Sequence, residues 1–263
     1  MRYTLFAGFV FLGCALTGLA QDWARQALEK SPRHGEWVTV KHGNRAVQAF
    51  IVYPEVKGKA SAVVVIHEIF GLTDWVRGVA DQLAAAGYIA IAPDLLTGMG
   101  PNGGRSSEFA SVDAAREAVG KLDADQVTAD LNAVADYVRG LPAANGKVAV
   151  AGFCWGGGQS FRFATNRDDL SAAFVFYGPP PADFSAVKAP VYGFYASEDA
   201  RITSTVPATV EGMKGAYKKY QPVTYQGAGH GFMRLGEDPA GTEPNKKARA
   251  DAWTRWLALL KAM

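Results

Sequence analysis

The spacing of apolar residues changes several times along the chain between a strand pattern and a helix pattern. Residues 36–42 and 46–53 alternate apolar and polar side chains on either side of Gly43-Asn44, which predicts a β-hairpin. Residues 62–66, Ala-Val-Val-Val-Ile, form a continuous apolar run. Such a run is typical of a central parallel strand covered on both faces.

Beyond residue 66 the two patterns follow each other in turn. Strands are predicted at 88–92, 147–151, 172–177, 191–196 and 223–226. Helices are predicted at 74–86, 112–120, 124–141, from 156 to about 165, at 206–220, and from about 244 to the end. A polar, glycine-rich stretch at 97–107 is predicted to be a loop over the site or a lid. This alternation predicts one α/β domain, residues 36–263, with a mostly parallel central sheet and helices on both faces. Residues 21–35 are then an N-terminal extension.

Composition narrows the class of protein. A chain of 263 residues is an ordinary length for one such domain, and its 27 basic and 25 acidic residues give a net charge of +2. That balance provides no field of one sign to attract nucleic acid or an anionic membrane surface, so neither is expected as a partner. Two cysteines, Cys14 and Cys154, exclude a disulfide framework.

The first twenty residues have the pattern of a secretory signal peptide. Arg2 precedes an apolar run over residues 5–19, and the small residues Gly18 and Ala20 fit the positions that a signal peptidase recognises. We therefore expect residues 1–20 to be a signal peptide cleaved after Ala20, and the mature chain to be periplasmic or secreted. Two alternatives remain open: an uncleaved membrane anchor, or a lipoprotein box at Leu12-Gly13-Cys14 with a lipid on Cys14. We expect no membrane partner for the mature chain unless Cys14 is lipidated.

The strongest motif is Gly152-Phe153-Cys154-Trp155-Gly156. It is a G-x-S-x-G nucleophile elbow in which cysteine replaces serine, and it lies between the strand at 147–151 and the following helix. The flanking glycines permit the sharp turn that presents the central side chain. The alternative is that Cys154 is a small buried hydrophobic residue. In an exported protein, however, an unpaired thiol is a hazard unless it has a function.

A nucleophilic thiol needs a base and a group that orients the base. Asp199 follows the strand at 191–196, and His230 follows the strand at 223–226, so both fall at carboxyl ends of strands where open α/β sheets build their sites. The chain order nucleophile, acid, histidine matches the order found with this elbow. Glu198 is the nearby rival to Asp199. Taken singly, His230 could be an ordinary loop histidine and Asp199 a turn former or helix cap.

Four motifs together resemble the dienelactone hydrolase family over roughly residues 36–261. They are His67-Glu68-Ile69-Phe70-Gly71-Leu72, Ala92-Pro93-Asp94-Leu95, Gly152-Phe153-Cys154-Trp155-Gly156-Gly157 and Gly229-His230-Gly231-Phe232-Met233-Arg234. The resemblance implies an α/β-hydrolase fold and hydrolysis of a small ester or lactone through an acyl-cysteine intermediate, without a metal or organic cofactor.

The resemblance also implies roles for individual residues. Cys154 would be the nucleophile, His230 the general base and Asp199 its orienting partner. The backbone amides of Ile69 and Trp155 would form the oxyanion hole. Those roles are completed by Glu68, which in this family engages the resting thiol and is displaced when substrate binds, and by Arg234, which grips a substrate carboxylate. From the residues alone, Glu68 could equally be a helix cap or a solvated acid, and Arg234 a solvated surface arginine.

The chain departs from the family between Asp94 and the predicted helix that leads to Leu141. The family has a second carboxylate-binding arginine and a tyrosine there, whereas this segment has Arg105 and Arg116 but no tyrosine before Tyr137. We therefore do not expect specificity for a muconate-type lactone. A general carboxylesterase or thioesterase, and a non-catalytic ligand-binding member of the fold, remain as alternatives.

Overall fold

A computed structural model describes residues 21–263. The predicted signal peptide, including Cys14, lies outside the described residues. No helix among residues 21–263 is long and apolar enough to cross a lipid bilayer.

The described chain is built around one eight-stranded sheet with the strand order β1-β2-β4-β3-β5-β6-β7-β8. The first two strands and the β2–β4 pair are antiparallel, and all other neighbours are parallel. The strands are β1 Gly35–His42, β2 Arg45–Val52, β3 Ala60–Ile66, β4 Ile89–Pro93, β5 Ala144–Phe153, β6 Ala172–Phe176, β7 Val191–Ala196 and β8 Tyr220–Tyr225.

Helices cover both faces of this sheet. The helices are α1 Asp22–Glu29, α2 Asp74–Ala85, α3 Val112–Gly120, α4 Ala124–Arg139, α5 Trp155–Asn166, α6 Ala200–Thr203, α7 Val206–Gly215, α8 Phe232–Leu235 and α9 Glu243–Lys261. Alternate residues of β3 enter two separate cores: Val63 and Val65 pack on one face, and Val64 and Ile66 on the other. The strand is therefore apolar throughout because both of its faces are buried.

The predicted α/β architecture is confirmed, and so is the hairpin at β1 and β2. One prediction was wrong: the helix expected over 206–220 ends at Gly215, and β8 already begins at Tyr220. The helix stops because Tyr217 adopts a left-handed backbone conformation with φ of 58°. Helix α1 was not predicted; it lies in the N-terminal extension, packs beside α2 and buries Ala24 in the core.

The parallel order of the strands decides where the motifs meet. Strands β3, β5, β6, β7 and β8 run in the same direction, so the loops that follow them emerge at one edge of the sheet. The loops and short helical segments that follow these strands carry all of the candidate site residues.

Candidate active site

Cys154 occupies a strained turn between β5 and α5. Its backbone has φ of 56° and ψ of −117°, a conformation that L-residues rarely adopt. A Cβ atom on Gly152 would lie 1.9 Å from the carbonyl oxygen of Gly156, so no larger residue fits at that position. The N–H of Cys154 donates to the carbonyl of Phe176 at 3.0 Å, which ties the turn to β6. The structure thus contains the elbow geometry that the motif predicts.

Asp199 and His230 meet at the same edge. The Nδ1–H of His230 donates to Oδ2 of Asp199 at 2.5 Å, and the aspartate is almost completely buried. Glu198, the rival acid, is exposed and accepts a hydrogen bond from Ser197 instead. Because the buried carboxylate fixes one ring nitrogen, the other is left for a reacting group.

The environment of His230 favours its protonated form. Burial alone would lower the pKa of the ring, but interactions with the Cys154 sulfur and the Asp199 carboxylate outweigh burial and raise the pKa above the ordinary value. The thiol is therefore a neighbour of the imidazole, and the three residues of the predicted triad are brought together.

Two backbone amides at the carboxyl edge of the sheet have no backbone partner among residues 21–263. The N–H of Trp155 is at the first position of α5, where a helix provides no acceptor. The N–H of Ile69 follows β3 in the loop that leads to α2. Neither amide donates a hydrogen bond to another residue within 21–263. A Cβ atom on Gly156 would lie 2.3 Å from the carbonyl oxygen of His67, so the two amide-bearing segments touch.

Glu68 and Arg234 form a buried ion pair. The Nε of Arg234 donates to Oε2 of Glu68 at 2.7 Å, and the glutamate is only 2% exposed. Burial raises the pKa of Glu68, and the guanidinium acts against that rise. Among the described residues, the side-chain hydrogen bond of Glu68 is thus made to Arg234 and not to Cys154.

Tyr177 is a site residue that the sequence pattern did not single out. It follows β6 with a left-handed φ of 40°, is completely buried, and packs edge-on against His230 at 5.0 Å between ring centroids. Burial, with a contribution from the neighbouring Glu68 charge, raises the pKa of its hydroxyl well above the ordinary value. Its strand was predicted, but nothing local distinguishes it from any strand-end tyrosine.

A cavity of about 510 Å³ opens beside Arg234. Apolar side chains, hydroxyls and two charged side chains contribute to its lining, which includes Phe70, Leu72, Asp74, Ser106, Phe109, Val112 and Arg234. Ser106 belongs to the segment 97–107 predicted as a loop or lid, and two short 3₁₀ turns form in or at the end of that segment, at Pro101–Gly103 and Ser106–Glu108. The cavity has the size and the apolar character of a pocket for a small organic molecule.

The two arginines considered for a second carboxylate contact are engaged elsewhere. Arg105 lies over the ring of Trp37 at 3.8 Å, and Arg116 pairs with the exposed Asp113. Within residues 21–263 no group of three or more histidine, cysteine or acidic side chains is arranged to hold a metal ion.

Comparison with known proteins places this geometry in a family. Residues 47–263 match the model of the "Dienelactone hydrolase family". A protein of Salmonella typhi named "Putative carboxymethylenebutenolidase" is 32% identical over 215 residues, which cover 76% of each chain. The protein of the same name from Escherichia coli K12 is 30% identical over 221 residues, 78% of each chain.

Among solved structures, the "Putative Dienelactone Hydrolase" of Klebsiella pneumoniae superposes with a TM-score of 0.77 at 26% identity, covering 88% of this chain and 99% of that one. The family match, the sequence relatives and the structural neighbour agree on one family. The chain belongs to the dienelactone hydrolase family.

Proposed function

We propose that this protein hydrolyses a small ester or lactone by nucleophilic catalysis at Cys154. Family membership supports a hydrolase that acts on ester or lactone bonds. The observation that carries the finer proposal is the arrangement of Cys154 in its strained turn beside His230, whose other ring nitrogen is held by Asp199.

In the proposed reaction His230 takes the thiol proton, and the Cys154 thiolate attacks the carbonyl carbon of the substrate. The carbonyl oxygen becomes an oxyanion, which the amides of Ile69 and Trp155 stabilise as fixed donors. The tetrahedral adduct collapses, and the imidazolium returns its proton to the leaving alcohol oxygen. Asp199 stabilises the imidazolium without itself becoming protonated.

In the second half of the reaction, water hydrolyses the acyl-cysteine. His230 removes a proton from a water molecule that attacks the thioester carbonyl, and the thiolate leaves. Glu68 enters this scheme through the family resemblance, as a carboxylate that engages the resting thiol and leaves it when substrate binds. In the structure the Glu68 side chain is hydrogen-bonded to Arg234 and not to the thiol, so this part of the scheme rests on the resemblance alone.

The test is Cys154→Ala, with Cys154→Ser as a matched variant that restores an oxygen nucleophile. We expect Cys154→Ala to lower kcat for p-nitrophenyl acetate by at least about 10³-fold, because it removes the nucleophile and little volume. Mass spectrometry of the wild type quenched during turnover should show acylation on Cys154. Unchanged turnover of Cys154→Ala with an unchanged melting temperature would refute the proposal.

A second candidate, a carboxylesterase or thioesterase of broad specificity, is favoured by the apolar part of the cavity. Phe70, Leu72, Phe109 and Val112 offer contacts to any hydrocarbon group, whereas the lining has one cation, Arg234, and one acid, Asp74. A panel of lactones, aryl esters and thioesters, each with and without a carboxylate, separates the two functions. Specific binding of these compounds without turnover would favour the non-catalytic alternative.

Export is also proposed, on the pattern of residues 1–20 alone. Cleavage after Ala20 would make Gln21 the first residue of a periplasmic or secreted enzyme. Mass spectrometry of the protein from its native cell should then show a chain that starts at Gln21. A mass that begins at Met1 would refute cleavage, and a lipid on Cys14 would establish the lipoprotein alternative.

A further inference from the structure

His67 is a buried titratable residue that the proposed reaction does not use. It follows β3 directly and is completely buried. Its Nδ1 lies 2.7 Å from the carbonyl oxygen of Glu68. A carbonyl oxygen can only accept, so Nδ1 must carry the proton. Burial lowers the pKa of the ring, which leaves the imidazole neutral, and Nε2 has no partner among residues 21–263.

The hydrogen bond from His67 fixes a peptide unit that carries one of the two oxyanion donors. The carbonyl of Glu68 and the N–H of Ile69 belong to the same planar trans peptide and point in opposite directions. The carbonyl oxygen is held from one side by His67 and also accepts from the N–H of Gly71 at 3.2 Å. When that oxygen is held, the direction of the Ile69 N–H is held as well.

The same imidazole contacts the residue that carries the second donor. The rings of His67 and Trp155 are stacked, with 5.4 Å between centroids and 16° between planes. The backbone of His67 also touches the start of α5 at Gly156, where no side chain would fit. One side chain therefore packs against both segments whose amides face the developing charge.

We propose that His67 is a positioning residue that holds the Ile69 and Trp155 amides in the relative orientation needed to bind one oxyanion. The inference rests on the proposed function, since it assumes an oxyanion between those amides. Loss of an oxyanion donor typically costs about 10²–10³ in kcat. Misorientation of one donor should therefore lower kcat by roughly tenfold to a hundredfold.

Three variants separate the hydrogen bond from packing. His67→Asn keeps an N–H donor two bonds from Cβ, as in the imidazole, but loses the ring. His67→Phe keeps a flat ring against Trp155 and loses the donor. His67→Leu has nearly the shape of asparagine without a donor, so the Asn and Leu pair still decides the question if His67→Phe fails to fold. His34→Asn, at an exposed histidine, is the control.

Two reagents that react with Cys154 distinguish an effect on oxyanion binding from an effect on formation of the thiolate. Phenyl trifluoromethyl ketone accepts the thiolate at its carbonyl carbon, forming a C–S bond and an oxyanion in the same site, and ¹⁹F NMR measures the adduct. Iodoacetamide forms a C–S bond as iodide leaves, so it needs the thiolate but develops no oxyanion. Turnover of p-nitrophenyl acetate and the melting temperature are measured on the same samples.

We expect His67→Phe and His67→Leu to lower both kcat and the ketone association constant by roughly tenfold to a hundredfold, with the iodoacetamide rate within about twofold of wild type. His67→Asn should recover most of the lost kcat. Equal impairment of the Asn and Leu variants, wild-type behaviour of the Phe and Leu variants, or a parallel loss of alkylation would each overturn the inference. A wild-type protein that forms neither adduct at Cys154 would refute the proposed function itself, and the inference with it.

Discussion

Two buried aspartates in the described chain each bind a histidine, and the two pairs are built differently. Asp199 binds Nδ1 of His230 at 2.5 Å at the carboxyl edge of the sheet. Asp130, on α4, binds Nε2 of His42 at 2.7 Å near the end of the β1–β2 hairpin. Distance and residue type are nearly the same, so neither explains why one pair belongs to the candidate active site.

The difference lies in what else each carboxylate contacts. Asp130 also accepts from Arg45 Nε at 2.8 Å through both oxygens and from Gln126 at 2.9 Å. Arg45 in turn donates to the carbonyls of Leu95 and Thr97. This network joins the hairpin, α4 and the loop after β4. Both carboxylate oxygens of Asp130 already accept hydrogen bonds, as expected of a structural cross-link.

Asp199 has His230 as its side-chain hydrogen-bond partner among residues 21–263, and the same imidazole interacts with the Cys154 sulfur, which helps to raise its pKa. A cavity of about 660 Å³ lies beside His42 and Arg45, larger than the one beside Arg234. It contains no nucleophile, and its charged groups are already paired. A histidine–aspartate pair thus becomes useful for catalysis where the second ring nitrogen remains free for a reacting group.

Asp199→Asn should have the largest effect on activity. An asparagine can favour the wrong tautomer of His230 and cannot stabilise its imidazolium, so we expect kcat for p-nitrophenyl acetate to fall by about 10³–10⁴-fold. The melting temperature should change little in comparison. If Asp199→Asn keeps more than a tenth of wild-type kcat, the Asp199–His230 pair does not have the catalytic role that distinguishes it here from the Asp130–His42 pair.

Asp130→Asn is the matched control, and it should lower the stability of the protein while changing kcat little. Removal of the carboxylate leaves the partly buried Arg45 without its counter-ion and leaves hydrogen bonds of the network unmade, at a cost of about 1–3 kcal/mol in the free energy of unfolding. Urea denaturation measures that loss. The kcat of the folded fraction should stay within about twofold of wild type, and a larger fall would mean that the Asp130 network also positions the site.

Arg234→Gln should have a smaller effect that depends on the substrate. A guanidinium pairs with a carboxylate through charge-assisted hydrogen bonds that a neutral ester cannot use. We expect kcat/KM for acidic esters or lactones to fall about tenfold, or about 1.4 kcal/mol, with little change for neutral aryl esters. Arg234→Lys keeps the positive charge but loses the planar pair of N–H donors. Its kcat/KM for acidic substrates should therefore lie between the values of the wild type and Arg234→Gln.

Equal losses on both classes of substrate would mean that Arg234 acts by holding Glu68 and the His230 loop. No loss on either class would remove the basis for a preference for acidic substrates.

The smallest effect concerns the titration of His230. The sulfur of Cys154 helps to raise the pKa of this ring against the effect of burial, so NMR titration should give a lower pKa in Cys154→Ala than in wild type. Because the folded-state pKa lies above the unfolded value of about 6.5, His230 contributes stability that is fully present below that pH and is lost as pH rises through the folded-state pKa. An equal or higher pKa in Cys154→Ala would contradict the contact between sulfur and ring.

Much of this protein could be predicted from local patterns in the sequence. Apolar spacing predicts the hairpin, the buried strand β3 and α3 closely, because burial on one or two faces leaves a period in the sequence. The glycines around Cys154 predict the elbow, because the strain of that turn is local. The chain order of Cys154, Asp199 and His230 also predicts which strand ends must meet.

Other features were decided by the tertiary structure. Glu68 and Arg234 pair across 166 residues of sequence, and the backbone conformation of Tyr177 has no local signal. The choice between Asp199 and the neighbouring Glu198 likewise depends on which side chain the fold turns inward. The hydrogen-bond network of Asp130 forms only when the hairpin, α4 and the loop after β4 are packed together. A hydrogen bond between distant residues leaves no period in the sequence, since its partners are specified only when the packed sheet brings them within reach.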